Sequence, residues 1–205
     1  STPIALVEQV LRFCLTNKNP VAEIYIAEGA DGQETTSLFD SLGYQKLAEN
    51  YDVNLIDLND SETKEIEDGE FLKFTSINYP KILLDSFIIS IPKLVENEET
   101  VIAGSLSNML GAFPARHYTG FFSEKKKKIR KWPLKYSVHD ILKCKMPQFA
   151  VVDAADKGYI LAGLPLEMDK QSAKLLGKNW KEIPYLALVN DSFSDVRAPD
   201  DPSAL

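Results

Sequence analysis

Apolar residues open the chain at helical spacing: Ile4, Leu6, Val7, Val10, Leu11 and Cys14, behind Thr2 as a cap and Pro3 at the first helical position. The spacing predicts a first helix with Cys14 in the core. Residues 21–27 then form a continuous apolar run that ends in Glu28-Gly29-Ala30-Asp31-Gly32, the pattern of a buried strand entering a glycine loop. Thr35 or Thr36 caps a second helix, with Leu38, Phe39, Leu42 and Leu47 on its inner face. Residues 53–58 read as a second strand with Asp57 at its C-terminal end.

Further along, residues 72–75 suit a short edge strand and 86–91 an apolar strand stopped by Pro92. A polar stretch at 95–99 precedes an expected helix over 100–110, ended by Gly111. Helices over 138–145 and 166–176, a strand at 149–153 and a short segment at 159–162 follow, and 183–189 closes the fold. No internal repeat is evident.

Helix, strand, glycine loop, helix, strand is the order that produces a parallel sheet covered on both faces. The expected class is therefore α/β: a mostly parallel open sheet in three α/β/α layers. One domain over residues 1–190 and an acidic, Pro-containing, fraying tail over 191–205 complete the expectation. The glycine loop lacks both G-x-G-x-x-G and G-x-x-x-x-G-K-[ST], so a nucleotide site there is not supported. Open α/β sheets bind ligands at the C-terminal ends of their strands, which makes Glu28 and Asp57 either pocket residues or loop caps.

Composition narrows the class. The chain has 205 residues, 44% hydrophobic and 26% charged, enough for one core. The apolar stretch at 82–91 is broken by Asp85 and Ser86, too short to span a bilayer. Cys14 and Cys144 make neither a disulfide framework nor a metal site, and no apolar leader opens the chain, so a reducing cytoplasm is the expected location. The net charge of −7 divides into +7 over residues 123–145 and −14 elsewhere. On an acidic protein a lysine run of this kind is ordinarily a solvated loop or helix end, and nucleic acid is not the expected partner. An acidic block at 57–70 can face it within the molecule or across a subunit contact.

Six stretches in order resemble one family: Ala27-Glu28-Gly29, Asp57-Leu58-Asn59, residues 84–94 (LDSFIISIPKL), residues 105–111 (SLSNMLG), Val151-Val152-Asp153 and residues 168–177 (MDKQSAKLLG). The chain is similar over nearly its whole length to the domain of unknown function 362, a family of prokaryotic, often archaeal proteins with no general activity, some fused to ferredoxin-type iron-sulfur modules. The resemblance implies a divergent member. Relatives usually start with a strand bearing Lys-Pro-Asn ahead of the first helix, so a trimmed N-terminus is expected. Val95, Asn97, Ser107 and Leu164 stand where relatives carry lysine, histidine, lysine and aspartate, and the loop after Asp153 is shortened to 154–158.

The polar residues left at element ends are the candidate site. His117, Asp153 and Asp169 are catalytic candidates; Glu28, Asp57, Lys93, Asn108 and Arg116 are ligand-binding candidates. Lys93 and Arg116 suit a carboxylate or phosphate, Arg as a planar fork and Lys as a point charge. His117 can move a proton near neutral pH, whereas His139, beside Asp140, reads as structural. Asp169 rests mainly on the resemblance. No pair of His or Cys has ligand spacing, no cysteine cluster could hold an iron-sulfur centre and no G-x-S-x-G occurs, so neither a metal nor a cofactor is expected. Two readings follow. One is an enzyme or enzyme-like protein that takes a small anionic molecule at its strand ends. The other is a non-catalytic subunit that assembles, with itself or a partner, through the blocks at 57–70 and 123–145.

Overall fold

The computed structural model describes residues 2–18, 22–120, 123 and 125–194. Helix α1, Ile4–Asn17, buries Val7 and Leu11. Pro3 stands at its N-cap position and makes no side-chain cap, because the Thr2 hydroxyl donates instead to the Ile91 carbonyl at 2.6 Å. Cys14 is half-buried rather than core. Strand β1, Tyr25–Glu28, pairs in parallel with β2, Asn54–Asp57, with Glu28 opposite Asp57. Between them lie α2, Thr35–Ser41, and α3, Tyr44–Tyr51. Val7, Leu11 and Leu47 pack with Ile24, Ile26 and Ile91, which fixes α1 and α3 against these strands.

The chain then forms an antiparallel pair, β3 (Thr63–Ile66) with β4 (Ile77–Pro80), and a short α4, Lys81–Asp85. The expected edge strand at 72–75 does not form. The backbone N–H groups of Leu72, Lys73 and Phe74 donate to the buried Asp140 carboxylate at 2.8, 2.8 and 3.1 Å, which holds this stretch as a loop. Strand β5 is Ile89–Ser90, followed by the antiparallel hairpin β6 (Val95–Asn97) and β7 (Val101–Ala103).

The helix expected over 100–110 is therefore shortened. Asn97 Oδ1 accepts from Glu99 N and Thr100 N, which turns the hairpin, and only α5, Ser105–Asn108, and a 3₁₀ turn, Met109–Ala112, are helical. Short α6, Ala115–Tyr118, and a 3₁₀ turn, Lys127–Arg130, precede α7, Leu134–Cys144. Strand β8, Phe149–Ala154, pairs in parallel with β5 and antiparallel with β9, Tyr159–Gly163. Helices α8, Pro165–Leu175, and α9, Pro184–Ser194, follow. Helix α9 crosses the expected boundary at 190, and the tail from 195 lies outside the described residues.

The α/β content is present, but the strands form four small sheets of mixed direction among the described residues. The largest core lies where β4, α5, α7 and α9 meet, around Ile77, Tyr79, Ile102, Leu106, Phe113, Ile141 and Leu186. No helix among these residues is long and apolar enough to cross a membrane.

Candidate functional site

The ends of β1 and β5 meet the segment that holds α5 and its 3₁₀ turn. Ser90 Oγ donates to the Ser105 carbonyl at 2.9 Å and accepts from Asn108 Nδ2 at 3.1 Å. On the other side Gly29 lies so close to Gly111 that a Cβ at Gly29 would stand 2.1 Å from the Gly111 oxygen, so only glycine fits this approach. Both strands therefore bring their C-terminal ends to one segment.

A cavity of about 580 Å3 opens between them. It is lined by Glu28, Asp31, Lys93, Glu99, Asn108 and Arg130 among polar residues, and by Ile26, Leu38, Phe39, Ile89 and Ile91 among apolar ones. Glu28 keeps accessible surface because the cavity reaches it, yet protein surrounds it and burial raises its carboxyl above the usual range, against a bond from Gly29 N at 2.9 Å. Lys93 pairs with the exposed Asp156 at 3.0 Å, which holds its ammonium charged, so this cation can exchange its partner for a ligand. Arg130 is committed: it forks onto Glu99 at 2.7 and 2.9 Å and reaches Asp31 at 2.7 Å, tying the β6–β7 hairpin to the glycine loop.

The lysine run is solvated at Lys125, Lys127 and Lys128, as its composition suggests, but not at Lys126. Lys126 is 1% exposed, and its Nζ donates to Gly29 O at 2.8 Å and Gly111 O at 3.2 Å. Burial pushes its pKa down to about 8, opposed by Asp31, Glu28 and Asp57. Lys125 packs over Gly32, Lys127 over Gly120, and Lys128 Nζ donates to the His117 carbonyl at 2.8 Å. The run is a strap across the strand ends. Sequence reasoning missed Lys126 and Arg130, since nothing in a block of like charges says which member is buried.

The other expected site residues lie elsewhere. Asp57 accepts from Asn59 N at 2.8 Å and lines a separate hollow with Asp60, Ser61 and Glu62. Arg116 donates to the carbonyls of Asp60 at 3.3 Å and Ser61 at 2.5 Å, and to His117 Nε2 at 3.2 Å, so it clamps the loop after β2. Partial burial and the neighbouring Arg116 and Lys128 lower the His117 pKa. Asp153 is buried and accepts from Ala155 N at 3.0 Å, with its backbone bridged to Lys93. Asp169 is fully buried, accepting from Ser105 N, Ser105 Oγ, Leu106 N and Tyr185 OH at 2.6 to 3.1 Å, and serves as the cap of α5. Burial raises its carboxyl, and the four donors offset part of that rise. Glu28, Lys93 and Asn108 are thus brought together; Asp57, Arg116, His117, Asp153 and Asp169 do not line that cavity.

Asn59 is a further residue to which sequence reasoning gave no role. It is buried, donates to Ala30 O at 2.9 Å and Thr35 Oγ1 at 3.0 Å, and accepts from Ala115 N at 2.9 Å, tying the glycine loop, α2 and α6. His139 bonds Asp140 at 2.7 Å in the interior, as its sequence context suggested. The two charge blocks meet within the chain, where Lys143 pairs with Glu70. Among the described residues no group of three or more His, Cys, Asp and Glu is placed to hold a metal ion.

The profile of the family described as Domain of unknown function (DUF362) matches residues 1–159. The chain belongs to this family. No curated protein and no solved structure matches it. The DUF362 match takes in every residue that lines the cavity and stops at the first residue of β9, so α8 and Asp169 lie beyond it.

Proposed function

We propose that this DUF362 protein is an enzyme or enzyme-like protein that binds a small anionic metabolite in the cavity at the C-terminal ends of β1 and β5. The observation that supports it most is the convergence of Glu28, Lys93 and Asn108, from three separate elements, on one concave site at strand ends. Lys93 supplies the exchangeable cation for a carboxylate or phosphate. Asn108 offers amide contacts, and Glu28, whose carboxyl burial raises above the usual range, is the group placed to take or give a proton. The two parallel pairs, β1–β2 and β5–β8, are read with this as halves of one open α/β/α sheet.

The assembly reading is less favoured, because Lys143 and Glu70 already engage the two blocks with each other. A thermal-shift screen with inorganic phosphate, sugar phosphates and small carboxylates tests the proposal. A ligand at 100 times its dissociation constant stabilises by about 2.7 kcal/mol. The reading expects such a shift for at least one small anion, lost in Lys93→Ala and retained in Arg116→Ala. No shift from any of them in a folded sample would refute it.

A further inference from the structure

Strand β9 closes one side of the sheet it forms with β5 and β8, and no strand lies beyond it among the described residues. The hydrogen bonds of β8 identify which β9 groups face outwards. Phe149 N and Asp153 N donate to Ile88 O and Pro92 O on the β5 side, so Ala150, Val152 and Ala154 turn their N–H and C=O groups to β9. Their β9 partners are Gly163, Leu161 and Tyr159. Ile160 and Ala162 therefore point their N–H and C=O groups away from the sheet, and these four groups have no partner among the described residues.

An edge of this kind is ordinarily blunted by charge, proline, a bulge or a covering element. Strand β9 carries none of these. Its sequence, YILAG, has no charge and no proline, and it pairs with β8 residue for residue. Tyr159 is 56% and Ile160 49% exposed, and Ala162 is exposed as well.

We infer that β9 is a self-association edge, pairing antiparallel with β9 of a second copy across a two-fold axis at Leu161. The groups on offer set the register. With Ile160 opposite Ala162 of the copy, both become hydrogen-bonded pairs and the axis repeats the exchange, so all four outward groups of each strand are used. An axis at Ile160 would set Ala162 against Gly158, whose N–H is already given to the Ala155 carbonyl. An axis at Ala162 would set Ile160 against Leu164, whose carbonyl already takes Met168 N.

The same register sets large residues against small ones. Ile160 meets Ala162, Tyr159 meets Gly163 beside Met168, and Leu164, exposed just past the strand, meets Gly158. Charge agrees: the exposed Lys157 ahead of β9 comes to the end of the copy's strand, where α8 starts with Glu167 in its first turn. The strand is thus its own complement when reversed, which makes a second copy the occupant. A contact built on so short a strand is small, so the association is weak and reversible. None of these β9 residues lines the cavity, so the inference stands apart from the anion reading.

The test is sedimentation velocity of the full chain in a concentration series up to about 1 mM, with amide hydrogen exchange at both ends of the series. A monomer–dimer equilibrium is expected, in which the Ile160 and Ala162 amides slow as concentration rises. The Leu161 and Gly163 amides, bonded to β8, stay protected throughout and report an intact fold. Ala162→Pro removes an N–H that only the dimer uses, twice across the axis, and should weaken association by about 30-fold or more. Ile160→Lys puts an ammonium into the row at an exposed position, should weaken association as well, and serves if proline disturbs the strand. A chain that stays monomeric, a dimer that both variants leave unchanged, or Ile160 and Ala162 amides already slow in the dilute monomer would each overturn the inference.

Discussion

Replacing Lys126 by Met keeps most of the buried stem and removes the ammonium. The side chain is 1% exposed, and its pKa falls from the ordinary 10.5 to about 8. Between about pH 8 and 10.5 the unfolded chain holds a proton on this amine that the folded chain has released. Unfolding free energy therefore rises with pH across that window, by about 3 kcal/mol for a displacement of this size. The neutral amine still has two N–H groups, enough for the carbonyls of Gly29 and Gly111, so deprotonation need not break either bond. Met leaves both carbonyls without this donor, at about 1 to 3 kcal/mol each, but also removes the buried charge. The two effects roughly offset near neutral pH. Urea denaturation of both proteins from pH 7 to 10.5 isolates the titration of Lys126, because the other groups are shared. The expected outcome is similar stability near pH 7 and an advantage of about 3 kcal/mol for the unsubstituted chain near pH 10.5. A difference that stays flat with pH would refute the reasoning.

Other substitutions probe the contacts that shape the site. Asp140→Ala leaves three loop N–H groups and His139 without their acceptor, so a loss of about 3 kcal/mol or more is expected in thermal denaturation, with the 72–74 loop exchanging fastest. Gly104→Ala sets a Cβ 2.6 Å from the Asp169 carboxylate and should cost about 1 to 3 kcal/mol, visible as a lower denaturation midpoint. Lys143→Ala removes a pair with the exposed Glu70 and the ammonium's contact over the Phe193 ring at 4.2 Å, and should cost about 1 kcal/mol in the same assay.

The parts of the fold that could be read in the sequence are those set by local apolar pattern. Helix α1, the strands around Ile26, Leu55 and Val151, and helices α7 and α8 each carry a periodic apolar face, and they form close to where that face predicts. What could not be read depends on partners distant in sequence. The 72–75 loop looks extended and apolar, and only Asp140, 66 to 68 positions away, makes it a loop. Asp169 caps α5 across 63 to 64 positions, so the helical part of 100–110 begins only after Gly104. The site divides in the same way. Glu28, Lys93 and Asn108 stand next to Gly, Pro and helix-end signals that mark strand ends, while Lys126 is chosen from its run by two glycine carbonyls that no local pattern announces.

The central claim is that Glu28, Lys93 and Asn108 form the site of a small anion. Its most direct test is backbone NMR during titration with inorganic phosphate and then with a small dicarboxylate. The account predicts saturable shifts at Gly29, Lys93 and Asn108, absent in Lys93→Ala, with the amides of Thr63, Arg116 and His117 unmoved. Shifts confined to Thr63, Arg116 and His117, or none at any of these positions, would contradict it.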